Sequence, residues 1–457
     1  MKRISLILVA LLFAVSARAE DSASLLHTPA PSALLSTGPG AGVTALKAGV
    51  VELSEKESRD LLSATGRSRI RLPSLESFTG NETGSLDFKP FDLFAPGASI
   101  RLVQPSGVTL VAPTNRLYLM ASNTSTSIGL SVDPASGEIT GMAARNGERL
   151  EISGLAGIGL ELKEIAPLPD DVNSCATDSA SQPQFDLAAF QSETPRSQSA
   201  AASGTALNYQ TVVAVDTDTE WMAGKGNNAT TATNWITDIF MVMNVFYERD
   251  IETRLLLGDI TLRIGPDPYS VPSNRSDQLD EFGNHWRFNM TGIDRDFAAM
   301  FSGRSISSGS FSGIAWVNVY CNTGHSQGSS TVGSYSFNAI GTGRTPANTG
   351  LYVGHEIGHN LGSPHTHCYS PAVDQCYNAQ SGCYSGPVSC PSGGKGTVMS
   401  YCHVGGSSGA GCGTSNQEFH PTVQGLLESR IAANSPSCIA PYQGTVTEMV
   451  FGHGFEN

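Results

Sequence analysis

His355-Glu356-Ile357-Gly358-His359-Asn360-Leu361-Gly362-Ser363-Pro364-His365 has the residue types and spacing to hold a metal and move a proton. On a helix, residues four apart share a face, one turn above the other. His355 and His359 therefore offer two imidazole nitrogens to one point, and such nitrogens hold Zn²⁺ at about 2.0–2.1 Å. Glu356 is one residue further on, off the two-histidine line, where a general base for water would sit. Gly362 is expected to end the helix in the left-handed turn that glycine enters cheaply. The turn returns the chain so that His365 supplies a third nitrogen. Three protein ligands leave a fourth position open, which marks a catalytic rather than a structural zinc site.

The elements that must position this stretch can be read on either side of it. The helix carrying it is expected to start near Thr345 or Asn348, with Pro346 favoured in a first turn. Gly350, Gly354 and Gly358 form a stripe on it. Each glycine costs about 0.5–1 kcal/mol relative to alanine, so the stripe predicts close packing against a sheet. Upstream, residues 209–215 read as a strand and 233–247 as a helix. Residues 255–257 and 260–264 read as the next strand, 277–289 as a helix and 296–302 as a strand. That alternation implies a mixed sheet flanked by helices. Residues 368–412 are rich in Cys, Gly and Ser and read as an irregular, disulfide-stapled subdomain. Residues 420–433 read as the last helix.

The 457 residues allow two or three domains. A net charge of -14 argues against nucleic acid and against an anionic membrane surface as partners. Lys2, Arg3, an apolar run from Ile4 to Val15 and Ala17-Arg18-Ala19 read as a secretory signal peptide over residues 1–19. The apolar run is shorter than the ~20 residues that a spanning helix needs. Secretion into an oxidising compartment is therefore expected, with no membrane span. Residues 20–175 carry short alternating runs between Pro, Gly, Asn and Asp. They read as a β-rich unit, either an inhibitory pro-domain or an independent binding domain. Residues 176–206 read as a flexible linker open to activating cleavage, with Arg196 as one basic site. The catalytic domain is expected over 207–440. The tail at 441–457 is either disordered or a sorting signal. Eight of the nine cysteines lie from Cys321 onward, which leaves Cys175 over from an even set.

The histidine pattern, followed by Thr397-Val398-Met399-Ser400-Tyr401, resembles the metzincin zinc endopeptidases. The resemblance covers roughly residues 206–440. It implies an α+β catalytic domain with a mixed five-stranded twisted sheet, and a turn that places Met399 beneath the three histidines. Details resemble the reprolysin (adamalysin) branch. Gly313-Ile314-Ala315-Trp316-Val317 followed by Cys321 is similar to its substrate-binding edge strand. Asn434-Ser435-Pro436-Ser437-Cys438 is similar to its final segment, which implies a Cys321–Cys438 bridge. Pairing of the other six cysteines stays open. Two positions depart from the branch: Thr366 stands where an aspartate is usual, and Met399-x-Tyr401 has the spacing of serralysins and astacins. Tyr401 either contacts zinc or an oxyanion, or simply packs beside the turn. His367 is expected at the surface, and His325, His403 and His420 match no ligand spacing.

The activity implied by this resemblance is hydrolysis of extended polypeptides by zinc-activated water, with Glu356 as base. A secreted monomeric proenzyme is expected, with its own pro-domain as inhibitor. A thiolate at Cys175 could take the water's position, as in matrixin and reprolysin proenzymes, although its flanking residues match neither switch. The alternative is an incidental buried thiol. Two rival functions are a secreted adhesion protein on a vestigial protease fold and a zinc hydrolase of non-peptide substrates. The first has no use for Glu356, and the edge-strand resemblance speaks against the second.

Overall fold

The computed structural model describes residues 46, 48–64, 69–78, 85–123, 126–145, 148–165, 175, 207–265, 267–270, 274–304, 313–413 and 415–443. The signal peptide, the linker with Arg196, and residues 444–457 of the tail lie outside them. The N-terminal half runs β1 (Gly49–Val51), α1 (Glu55–Ser63), β2 (Ile70–Arg71), α2 (Pro73–Phe78) and β3 (Asp87–Phe91). A hairpin of β4 (Ile100–Gln104) and β5 (Gly107–Val111) follows. The half ends in a meander of β6 (Leu117–Ser122), β7 (Thr126–Val132), β8 (Glu138–Arg145), β9 (Glu148–Leu155) and β10 (Gly159–Glu164). Helix α1 begins in a capping box, Ser54 with Glu57.

Eight of these strands form one antiparallel sheet in the order β1-β10-β9-β8-β7-β6-β3-β2. Successive strand residues point to opposite faces, and here both faces are buried. In β6, Leu119 and Ala121 enter a core with Leu61 of α1 and Leu75 of α2. Tyr118 and Met120, which alternate with them, enter a different core. Strand β8 repeats the division, with Ile139 and Ala143 on one side and Met142 and Ala144 on the other.

That second core belongs to the C-terminal half. This half runs β11 (Tyr209–Thr217), α3 (Thr219–Gly224), α4 (Ala229–Ile251), β12 (Thr253–Arg263), α5 (Arg275–Asn289), β13 (Phe297–Ser302) and β14 (Gly313–Ala315). It continues through a small hairpin of β15 (His325–Gln327) and β16 (Ser330–Val332), then β17 (Tyr335–Ala339), α6 (Pro346–Asn360), α7 (Pro421–Ala433) and β18 (Ala440–Pro441). Its sheet runs β14-β17-β13-β11-β12-β4-β5, with β18 added to β11. The fold is mixed α and β, but the expected five-stranded sheet has eight strands. The five are β14, β17, β13, β11 and β12. The other three are β18 and the β4–β5 hairpin, with β4 parallel to β12. Parallel pairing between segments 160 residues apart leaves no periodic trace in either segment.

Strand β11 also buries both faces: Val213 and Val215 join α4, while Ala214 joins Phe282 and Trp286 of α5. Helix α4 thus lies between the two sheets. It is apolar nearly all round, with Ile236, Phe240, Met241, Val242, Met243, Val245 and Phe246 buried. Fully burying each such side chain stabilises the fold by about 1.5–3 kcal/mol. Among the described residues no helix is long and apolar enough to cross a membrane.

Helix α6 is capped by Thr345, whose hydroxyl accepts from Asn348 N, with Pro346 in the first turn. Gly350 and Gly354 of its glycine stripe face α4 and not the sheet, and Gly358 faces Met399. A Cβ on Gly350 would lie 2.5 Å from Val242, and one on Gly354 would lie 2.6 Å from Phe246. The close approach lets Tyr247 OH donate to Gly354 O at 2.7 Å. An edge-on helix pair needs small residues at the crossing, and the sequence pattern does not say which neighbour requires them.

Candidate metal centre

Three histidines converge at the end of α6. His355 and His359 lie one turn apart, and their ring centroids are 4.7 Å from each other. After the C-cap at Leu361, Gly362 takes φ +110°, a conformation that a side chain would strain. Arg430 of α7 donates to Gly362 O at 2.8 Å and holds this turn. The turn delivers His365, with its Nε2 3.1 Å from His359 Nε2.

Each ring is oriented by its other nitrogen. His355 Nδ1 donates to Val398 O and His359 Nδ1 to Ser363 O, both at 2.6 Å. His365 Nδ1 donates to Gln380 Oε1 at 2.9 Å. A carbonyl oxygen only accepts, so the proton is on Nδ1 and the lone pair on Nε2. Burial holds all three rings neutral. It pushes His355 down to about 4, and His359 and His365 well below their ordinary value. Two neutral nitrogens that face each other with lone pairs at 3.1 Å repel unless a cation lies between them. His355 Nε2 is buried and has no hydrogen-bond partner among the described residues. This donor set fits Zn²⁺, which takes neutral imidazoles whose second nitrogen is anchored.

Glu356 is fully buried beside this cluster. A Cβ on Gly313, the first residue of β14, would lie 2.2 Å from Glu356 Oε1, so only glycine fits at that position. Strand β14 is at the edge of its sheet and pairs antiparallel with β17. It covers Gly313, Ile314 and Ala315 only, whereas the edge strand was expected through Trp316 and Val317. Those two are buried past its end, and Trp316 O accepts from Asn360 Nδ2 at 2.8 Å. The chain then turns under α6. Asn318 N and Val319 N donate to His359 O and Asn360 O, satisfying carbonyls that a helix end leaves open.

Residues 207–413 match the family model Reprolysin_5, metallo-peptidase family M12. No curated protein matches the chain. Among solved structures, the chain is similar to metalloproteinase-II from Bacteroides fragilis, at 12% identity and TM-score 0.32, covering 67% of this chain and 82% of that one. It is also similar to a chain in a structure described as a chaperone-substrate complex, at 16% identity and TM-score 0.25. That match covers 49% of this chain and 27% of the other, so the chain spans about a quarter of that protein's length.

Within the M12-like part, Met399 is buried beneath α6, with its Sδ 2.6 Å from where a Gly358 Cβ would be. Thr366, at the position that departs from the reprolysin pattern, ties the third histidine's loop to this turn. Its N and Oγ1 both donate to Met399 O, at 3.0 and 3.3 Å. The Tyr401 ring lies 4.1 Å from that of His365, and its hydroxyl donates to Cys175 O. Cys175 itself reaches the cluster. Its Sγ donates to Glu356 Oε2 at 3.3 Å, and the ligand atoms of Cys175, His355, His359 and His365 all lie within 4.8 Å of one another.

The cysteines pair as Cys321–Cys438, Cys368–Cys383, Cys376–Cys402 and Cys390–Cys412. The bridges overturn one expectation: His367 is fully buried and not at the surface. The Cys368–Cys383 bridge folds the chain over it, and its Nε2 donates to Gln380 Oε1 at 2.7 Å. Sequence reasoning missed Gln380, which serves His365 and His367 together. A glutamine between cysteines carries no signal until the pairing is known. His420 caps α7 by accepting from Thr422 N, and His325 and His403 stand outside the three-histidine group.

Proposed function

We propose that this protein is a secreted zinc metalloendopeptidase made as a latent precursor. The observation that carries the reading is the convergence of three buried, neutral, anchored histidines beside the Glu356 carboxylate and the edge strand β14. The match to a metallopeptidase family model supports it. His355, His359 and His365 would hold the zinc ion, which supplies Lewis acidity when bound. Glu356 takes the proton of the attacking water and returns it to the nitrogen of the leaving amine. Strand β14 binds the substrate as an added extended strand, through backbone hydrogen bonds. Gly313 keeps that edge clear where it passes the carboxylate. Tyr401, whose ring lies tilted beside that of His365, would offer its hydroxyl once the carbonyl of Cys175 has left it.

Zinc content and hydrolysis of a broad protein substrate, with and without a chelator, test this reading. One zinc per chain and loss of hydrolysis on chelation are expected. A protein that binds no zinc, or that cleaves nothing after processing, would refute it.

Latency follows from Cys175, whose sulfur occupies the space between the histidines and the base. The uncut Cys175→Ala precursor is expected to be at least about tenfold more active than the uncut wild type, the factor that 1.4 kcal/mol of lost autoinhibition represents. A Cys175→Ala precursor as inactive as the wild type would show that another part of the chain blocks the cleft.

A further inference from the structure

A removable prosegment would leave behind a complete sheet and a polar outer surface. The N-terminal half of this chain would leave neither. Strand β4 pairs with β12 in parallel from Ile100 opposite Ile260 to Val103 opposite Arg263. The pairing extends upstream, where Leu257 N donates to Leu93 O at 2.8 Å and Ala95 N to Leu257 O at 2.7 Å. Ser99 N donates to Asp259 Oδ1 at 2.8 Å. Removal of residues 46–165 would strip this row of partners from β12 and leave an open strand edge.

Side chains on α4 are committed in the same way. A Cβ on Gly129 of β7 would lie 2.6 Å from Met241 Sδ and 2.9 Å from Val245, so this part of the meander lies directly on the helix. Phe91, Tyr118, Met120 and Met142 share one core with Met241, Val245 and Phe240. Arg116, with a side chain only 3% exposed, donates to Asp238 Oδ1 of α4 at 3.0 Å and also pairs with Glu138. Without Arg116, Asp238 would be left as a buried carboxylate with its cation gone. The Arg254 guanidinium of β12 lies over the Phe91 ring at 4.4 Å.

We infer that residues 46–165 are a permanent subunit of the catalytic fold. Cleavage within 176–206 frees Cys175 from the site but leaves this half bound, so the processed enzyme is a two-chain complex. The inference takes from the proposed function only the place of the cut, and its test needs neither metal nor activity. The failure of one is therefore distinguishable from the failure of the other.

The test uses the full chain with a specific protease site introduced within 176–206, in a Glu356→Ala background that prevents self-digestion. After complete cutting, a denaturing gel shows two fragments. On native gel filtration at about 1 µM the two are expected to co-elute at the mass of the uncut chain, with β12 amides as protected from hydrogen exchange as before the cut. An N-terminal fragment that elutes alone from a soluble C-terminal fragment, or β12 amides that lose their protection, would overturn the inference.

Discussion

Processed Glu356→Ala protein is expected to keep its fold and its zinc while hydrolysis of a protein substrate falls about 10²–10⁴-fold, the usual contribution of general acid–base catalysis. The metal's retention follows from how the histidines are held. Val398 O, Ser363 O and Gln380 Oε1 fix the three rings. The loss of rate follows from the carboxylate's seat. It is fully buried, pressed against Gly313, and its Oε2 faces the point that the thiol now approaches at 3.3 Å. Among the described residues the histidine group includes no carboxylate that could take over from Glu356. Zinc analysis of the purified variant alongside a protein-hydrolysis assay separates the two effects. Near wild-type activity would remove Glu356 from the mechanism, and loss of zinc would make it a structural support instead.

The second large effect concerns stability. Cys321 and Cys438 are 117 residues apart, and closing a loop of that size is worth about 4–5 kcal/mol in the chain-entropy account. The Cys321→Ser/Cys438→Ser double variant should therefore melt about 10–15 °C lower in a thermal scan, given about 2–4 °C per kcal/mol at this size. The bridge has a local role as well. Cys321 follows the segment whose Asn318 and Val319 amides cap α6, and Cys438 follows α7, whose Arg430 holds the Gly362 turn. Both anchors of the histidine turn are thus joined covalently. A melting point within about 2 °C of wild type would show that packing alone holds these segments together.

How much of this was legible in the sequence varies with the range of the interaction. The proposed ligands and base lie within eleven residues, where helical spacing alone puts two histidines on one face and a glycine turn returns the third. The main helices and strands of the C-terminal half also followed from their periods. The rest depended on distant partners. Cys175 is 181 residues from Glu356, and its flanking residues carried no pattern that placed it. Residues 100–111 read as part of a β-rich N-terminal unit because an apolar strand does not declare which sheet it joins. The double-sided burial of β6 and β8 is visible as continuous apolar runs only once α4 is known to cover them. Thr366, His367 and Gln380 gain their roles through the Met399 turn and through disulfides whose pairing no spacing rule could choose.

Gln380 stands between Cys376 and Cys383, each bonded to a different part of the chain, and its one oxygen receives both His365 and His367. Opening Cys368–Cys383 would release a loop that its bridge holds at a chain-entropy gain of about 3 kcal/mol, and with it the acceptor that aims the third imidazole. On the proposed function, the aim of the third ligand would depend on this bridge as well as on folding. A freshly made chain with reduced thiols would then have two well-aimed nitrogens and a third held less firmly. On the proposed function, thiol oxidation would therefore precede firm metal binding.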